Sequence, residues 1–219
     1  LNLQKTGHPM QICVQIEALR YLYLNELVHN SEKKVTPQVE KQYLLILGDI
    51  KKETTHRLML LLEHVYEKIA INYEIWIKPH PNNQIELGKY PKLKAKCTDL
   101  TLLELFQLTH VALTTVFTSA ALDAFCCGIP VINYLDPDDF NLSNLRGIEC
   151  TKFVSTENEL FQALEQIEFS DHKKGKPEDF FWLEPELPKW RELLKEKIIS
   201  QLENDQSGLN TAEYESVSS

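Results

Sequence analysis

Tyr43-Leu44-Leu45-Ile46-Leu47 is an unbroken apolar run that stops at Gly48-Asp49. A run this short, closed by a turn pair, predicts a strand covered on both faces. The period then changes. From about Glu53 to Ala70, Leu58, Leu61, Leu62, Val65 and Ile69 recur at helical spacing, which predicts one amphipathic helix with Thr54 or Thr55 placed to cap it. Tyr73–Lys78 predicts a second strand, stopped by Pro79 and Pro81. The alternation continues with a looser strand over Leu93–Cys97, a short helix over Leu100–Leu108 and a strand over His110–Thr115. A compact helix follows from Thr118 or Ser119 to Cys127, ended by Gly128 with Pro130 beyond it. Ile129–Leu135 and Lys152–Val154 supply two more strands. The helix expected over Glu157–Ile167 sets Leu160, Phe161, Leu164 and Ile167 on one side. Strand and helix in this succession imply an α/β fold: a doubly wound, Rossmann-like parallel sheet with helices on both faces.

The two ends break the pattern. Residues 10–28, carrying Ile16, Leu19, Tyr21, Leu22, Tyr23, Leu24 and Leu27, read as a buried helix with no strand of its own, and 29–42 as a polar linker. Pro188–Leu202 reads as an amphipathic helix with Trp190, Leu193, Leu194, Ile198 and Leu202 along one side. The polar stretch from Glu203 onward is expected to be disordered. The chain thus divides into a leading connector (1–42), the α/β domain (43–186), a closing helix (187–203) and a tail (204–219).

Composition narrows the function. With 43% hydrophobic and 25% charged residues in 219, the chain can build a core without metal or disulfide help. A formal net charge of −9 argues against nucleic acid as a partner. Cys13, Cys97, Cys126, Cys127 and Cys150 include no CxxC pair, which disfavours a disulfide framework and a zinc site and suits a reducing cytoplasm. No apolar run approaches the roughly 20 residues of a membrane span. The start at Leu1, without Met or a leader pattern, is read as the edge of a piece cut from a longer chain.

In an open parallel sheet, ligands collect beyond the carboxyl ends of the strands, and four groups fall there. Lys78-Pro79-His80-Pro81-Asn82 follows the second strand; its prolines stiffen the loop, lysine offers a point charge for phosphate, and histidine can donate a hydrogen bond or a proton. The same residues would also make a plain rigid turn. Thr118-Ser119-Ala120-Ala121 carries hydroxyls into a helix N-terminus, where free N–H groups attract anions, although an ordinary cap has the same look. Asp123, one turn further on, is placed to fix that loop or to accept from a ligand hydroxyl. Gly48-Asp49, with Lys51 and Lys52, ends the first strand without matching GxGxxG or a Walker loop. The acidic Asp136-Pro137-Asp138-Asp139 is explained by turn propensity, and no metal site is expected.

Together, Lys78-Pro79-His80-Pro81 and the run Thr118-Ser119-Ala120-Ala121-Leu122-Asp123-Ala124 through Gly128-Ile129-Pro130-Val131-Ile132 resemble the C-terminal, donor-binding domain of GT-B glycosyltransferases of bacterial surface polysaccharide. The similarity is to the sialyl- and polysialyltransferases and the capsule and teichoic-acid polymerases, over roughly residues 43–170. It implies a nucleotide-sugar donor, no further cofactor, and a glycan or lipid-linked acceptor held by a second domain. It further implies that His80 acts on the leaving phosphate with Lys78 assisting, that Thr118 and Ser119 bind phosphate, and that Asn82, Asp123 and Gly48 support the donor site. Residues 10–28 would then be the last piece of that second, acceptor domain or its connector, and 188–202 the returning helix, in a cytoplasmic protein with room for peripheral association with the inner membrane. Asn82 stands where several sialyltransferases carry Arg, so a CMP donor is not implied. A UDP-N-acetylglucosamine 2-epimerase-like enzyme and a noncatalytic α/β scaffold are the alternatives.

Overall fold

A computed structural model describes residues 14–25, 40–148, 150–167 and 177–199. The chain forms two compact units, one from residues 23–179 and one from 1–22 with 180–219. Expectations for residues 10–13, 26–39 and 200–219 lie outside the described residues.

In the larger unit six strands make one parallel sheet: β1 (Gln42–Leu47), β2 (Tyr73–Lys78), β3 (Ala95–Cys97), β4 (Val111–Thr115), β5 (Val131–Tyr134) and β6 (Lys152–Val154), in the order β3-β2-β1-β4-β5-β6. The helices between them are α1 (Lys52–Ile69), α2 (Leu102–Leu108), α3 (Ala120–Cys126) and α4 (Glu157–Glu165). This is the doubly wound, Rossmann-like sheet that the alternating pattern predicts.

Both faces of the sheet are covered, which is why β1 reads as continuous apolar residues rather than alternating ones. Leu44, Ile46, Ile75, Ile77, Val111, Leu113 and Ile132 join the core formed with Leu58, Leu62 and Val65 of α1 and Leu160 and Leu164 of α4. Leu45, Leu47 and Ala112 alternate with these, are equally buried, and so face the other layer, where α3 packs on β4 and β5. Two capping boxes start α2 and α4: Thr101 with Glu104, and Thr156 with Glu159. In each the hydroxyl accepts the third backbone N–H while the glutamate reaches back, satisfying two helix-end donors. Gly128 takes φ 72° at the end of α3, the left-handed conformation a glycine stop provides.

Helix α1 corrects one expectation. Its N-cap is Lys51, with no side-chain cap bond, and neither Thr54 nor Thr55 caps it. Both threonines sit buried in the first turn, and Thr55 turns back to receive the Asp49 N–H at 3.2 Å. The hydroxyl is needed by the loop more than by the helix end.

The smaller unit corrects another. Of the buried helix expected over 10–28, residues 23–25 are helical with Leu24 fully buried, but 14–22 are not: Val14–Ala18 is irregular and Leu19–Tyr21 is a single 3-10 turn. The physical reason is Glu17, which is 1% exposed. Its carboxylate accepts the backbone N–H groups of Lys189 (2.9 Å) and Trp190 (3.2 Å), while its carbonyl accepts the Trp190 indole N–H at 2.9 Å. The Glu17 carboxylate therefore satisfies the donor end of the helix over 188–199, and its carbonyl, which a helix would commit to its own backbone, is left for the indole. Tyr21 stacks on Phe181 in the same unit, with ring centroids 3.8 Å apart.

Candidate functional site

Strand order reverses around β1: β2 follows it on one side and β4, reached by a crossover, flanks it on the other. Such a switch point opens a crevice at the carboxyl ends of the central strands. Register fixes what meets there. Leu47 pairs with Lys78 of β2 and with Thr114 of β4, so Gly48, Pro79 and Thr115 stand level across three adjacent strands.

The loop after β2 is built to hold His80. Asn83 donates its backbone N–H to the His80 carbonyl at 2.8 Å, closing a tight turn, and the Asn82 N–H donates to His80 Nδ1 at 3.2 Å. An imidazole that accepts at Nδ1 carries its neutral-form proton on Nε2, so the outer edge of His80 is a hydrogen-bond donor. Asn82 contributes through its backbone, and its side chain is exposed. Lys78, half-buried, alternates along β2 with the buried Tyr73, Ile75 and Ile77, so it stands on the face opposite the α1 layer. Its charge is felt by Glu104 at the start of α2.

The turn after β4 holds the hydroxyl pair. Ser119 is the N-cap of α3 in helical geometry and makes no side-chain cap bond, while Thr118 Oγ1 accepts the Ala120 N–H at 3.4 Å. Both side chains are half-buried. Asp123 is 1% exposed and accepts the Tyr23 hydroxyl at 2.8 Å. That bond ties Tyr23 to α3. The paired Cys126 and Cys127 are buried beneath the helix, and burial, reinforced by Asp123, pushes the Cys126 thiol up to about 12. It is packing, not a nucleophile.

Gly48 adjoins both sides of the crevice. Its N–H donates to the Lys78 carbonyl at 2.9 Å, and its bare Cα faces the Pro79-His80 backbone. Glycine is required for that close approach, not for a left-handed turn. The next residue, Asp49, donates nothing from its side chain but accepts from the Thr115 hydroxyl and from the Lys51 N–H, the latter at 3.1 Å. The loops bearing His80 and Thr118-Ser119 therefore leave the same edge of the sheet and are joined through β1.

Residues that sequence reasoning did not place complete the frame. Asn83 reaches under the loop, donating from its side chain to the Asp49 carbonyl at 2.7 Å and to Thr55 Oγ1 at 3.2 Å. The acidic turn after β5 is an ion-pair clip, not a bare turn. Arg57 of α1 binds both Asp136 and Asp138 at 2.6 Å, and Lys51 binds Asp139 at 2.6 Å while lying 4.8 Å over the Phe117 ring. The Lys51 hydrogen bond holds the Asp139 carboxyl below its ordinary range, and Asp138, then Asp136, raise Arg57. Among the described residues no cluster of three or more His, Cys, Asp or Glu could hold a metal ion.

The architecture so defined is one Rossmann-like α/β unit with its crevice at the β1/β4 switch point. It superposes on half of the wall teichoic acid polymerase TagF, in a variant form, with TM-score 0.52 and 15% identity, covering 89% of this chain and 54% of that one. It superposes as well on the UDP-GlcNAc 2-epimerase of Methanocaldococcus jannaschii, with TM-score 0.52 and 16% identity, covering 80% of this chain and 53% of that one. The chain spans about half the length of these solved structures. At such identities the likeness is one of fold. No protein-family model and no curated protein sequence matches the chain.

Proposed function

We propose that this chain is the nucleotide-sugar-binding part of a glycosyltransferase of surface polysaccharide synthesis, with the acceptor, a glycan or a lipid-linked glycan, held by a second domain. The observation that carries this reading is the hydrogen bond from the Asn82 N–H to His80 Nδ1 at the switch point. Glycosyl transfer leaves a nucleoside phosphate, and a preorganised donor beside the bridging or terminal oxygen stabilises the charge as it develops. With Nδ1 accepting the Asn82 N–H, His80 turns its Nε2–H edge to that oxygen. Thr118 and Ser119, at the start of α3, supply hydroxyl and backbone donors to a phosphate, and Lys78 adds positive charge to the edge. The shared fold is compatible with this role, and the likeness to the wall teichoic acid polymerase suggests the polysaccharide class. No helix among the described residues is long and apolar enough to cross a membrane.

Calorimetric titration with UDP, CMP, CDP and GDP tests the reading. One of them is expected to bind, and His80→Ala and Ser119→Ala are each expected to weaken it about 10- to 100-fold, the loss of one charge-assisted contact of roughly 1.5–3 kcal/mol. The thermal midpoint should barely move. Binding by none of the four would leave a scaffold domain, and conversion of UDP-N-acetylglucosamine to its 2-epimer would reassign the chemistry.

A further inference from the structure

We propose that Asp49 is a positioning residue that sets the spacing between the His80 turn and the Thr118-Ser119 turn; the inference rests on the donor-site reading above. Asp49, Thr55, Asn83 and Thr115 are all buried, at 1%, 3%, 5% and 0% exposure. They form one continuous hydrogen-bonded cluster beneath the crevice. The Asp49 carboxylate takes the Thr115 hydroxyl from β4 on one oxygen and the Lys51 N–H from the entry to α1 on the other. Its carbonyl takes the Asn83 side chain, and its N–H goes to the Thr55 hydroxyl, which the Asn83 amide also reaches. Asn83 in turn closes the His80 turn through its own backbone. One residue thus touches the loop carrying the histidine, the strand end that runs into the hydroxyl turn, and the first turn of α1.

The chemistry of the cluster singles out a carboxylate. The Thr115 hydroxyl and the Lys51 N–H both donate here, one to each oxygen of the Asp49 side chain, and a carboxyl group offers those two acceptors side by side. Among the described residues no Lys, Arg or His forms an ion pair with Asp49. Burying a carboxyl group costs desolvation that its hydrogen bonds must offset. What the group provides is geometric: two donors from different elements are drawn to one side chain. Asp49 lies below the turns and acts on a phosphate only through them.

The test is a double-mutant cycle read by titration with whichever of UDP, CMP, CDP and GDP the parent chain binds. Asp49→Asn keeps the shape but turns one acceptor into a donor, and in the His80 parent it is expected to lower affinity about 10-fold. In a His80→Ala background the same substitution is expected to change affinity less than about 2-fold, because the group it misplaces is gone. A merely structural role would move the thermal midpoint and give equal losses in both backgrounds, and that additivity overturns the inference while leaving the donor site standing. An Asp49→Asn chain with parental affinity overturns it too. Should Asp49→Asn fail to fold, Thr115→Val removes only the donor on β4 and is expected to show the same non-additivity with His80→Ala; additivity there overturns it. A parent that binds none of the four nucleotides removes the donor-site reading and this inference together.

Discussion

Gly48 and His80 meet backbone to backbone: a Cβ on Gly48 would lie 3.0 Å from the His80 nitrogen, 3.2 Å from the Pro79 Cα and 3.3 Å from the Lys78 carbonyl oxygen. None of these is a flexible side-chain end, so a methyl group there must push the loop that carries the histidine. Gly48→Ala is expected to destabilise the chain by about 1–3 kcal/mol, the range for overpacking, and to weaken nucleotide binding as well. Chemical denaturation and titration check the two halves. An unchanged midpoint with unchanged affinity would mean that the loop yields freely and that its position does not matter.

The clip after β5 has unequal members. Asp136 has a side chain only 3% exposed; among the described residues Arg57 is its one cationic partner, and truncating Arg57 leaves its carboxylate the bond from the Asp138 N–H. Arg57→Met is therefore expected to lower stability by about 1–3 kcal/mol. Lys51→Met should lower it by less, about 1 kcal/mol, since Asp139 keeps the Thr54 hydroxyl and its side chain is 19% exposed against 3% for Asp136. Denaturant unfolding of the two variants gives the order, and a larger loss from Lys51→Met would contradict the burial argument.

Asp123 can be asked whether it serves the fold or the donor. The Tyr23 hydroxyl on its Oδ2 is a bond to a buried carboxylate, so Tyr23→Phe is expected to lower stability by about 1.5–3 kcal/mol. Nucleotide affinity should stay as it was. If Tyr23→Phe instead weakens binding at unchanged stability, the carboxylate is held for the ligand and not for the chain.

The sheet was legible because it is covered on both faces. Continuous apolar runs such as Tyr43–Leu47 and the helical spacing of Leu58, Leu61, Leu62, Val65 and Ile69 reflect burial that the structure repeats residue by residue. The boundaries of α2 and α4 were also written locally, in Thr101-x-x-Glu104 and Thr156-x-x-Glu159, although periodicity alone did not use them. The supports of the site were not legible. Asp49 meets Thr115 across 66 positions, Arg57 meets Asp136 across 79, and Glu17 meets Trp190 across 173, so no local pattern encodes any of them. Residues 14–22 misled for the same reason: apolar spacing suggested a helix, while one buried carboxylate with distant partners set the backbone.

That carboxylate gives a pH dependence with a definite sign. Burial by itself would raise the Glu17 pKa, but the backbone N–H groups of Lys189, of Glu17 itself and of Trp190, with the Lys189 charge, together hold it below its ordinary value of 4.5. A group whose folded value is depressed favours the folded state while ionised, so its contribution is complete above the unfolded value and disappears as pH falls through the folded one. Contact between Glu17 and the helix over 188–199 should therefore persist at pH 4.5 and loosen only in stronger acid. The backbone amide resonances of Lys189 and Trp190 report the carboxylate directly, since both N–H groups donate to it. Their shared titration midpoint is expected below 4.5, and Glu17→Gln should abolish the titration. A midpoint at or above 4.5 would mean that burial outweighs the hydrogen bonds and that the carboxylate weakens this unit at neutral pH.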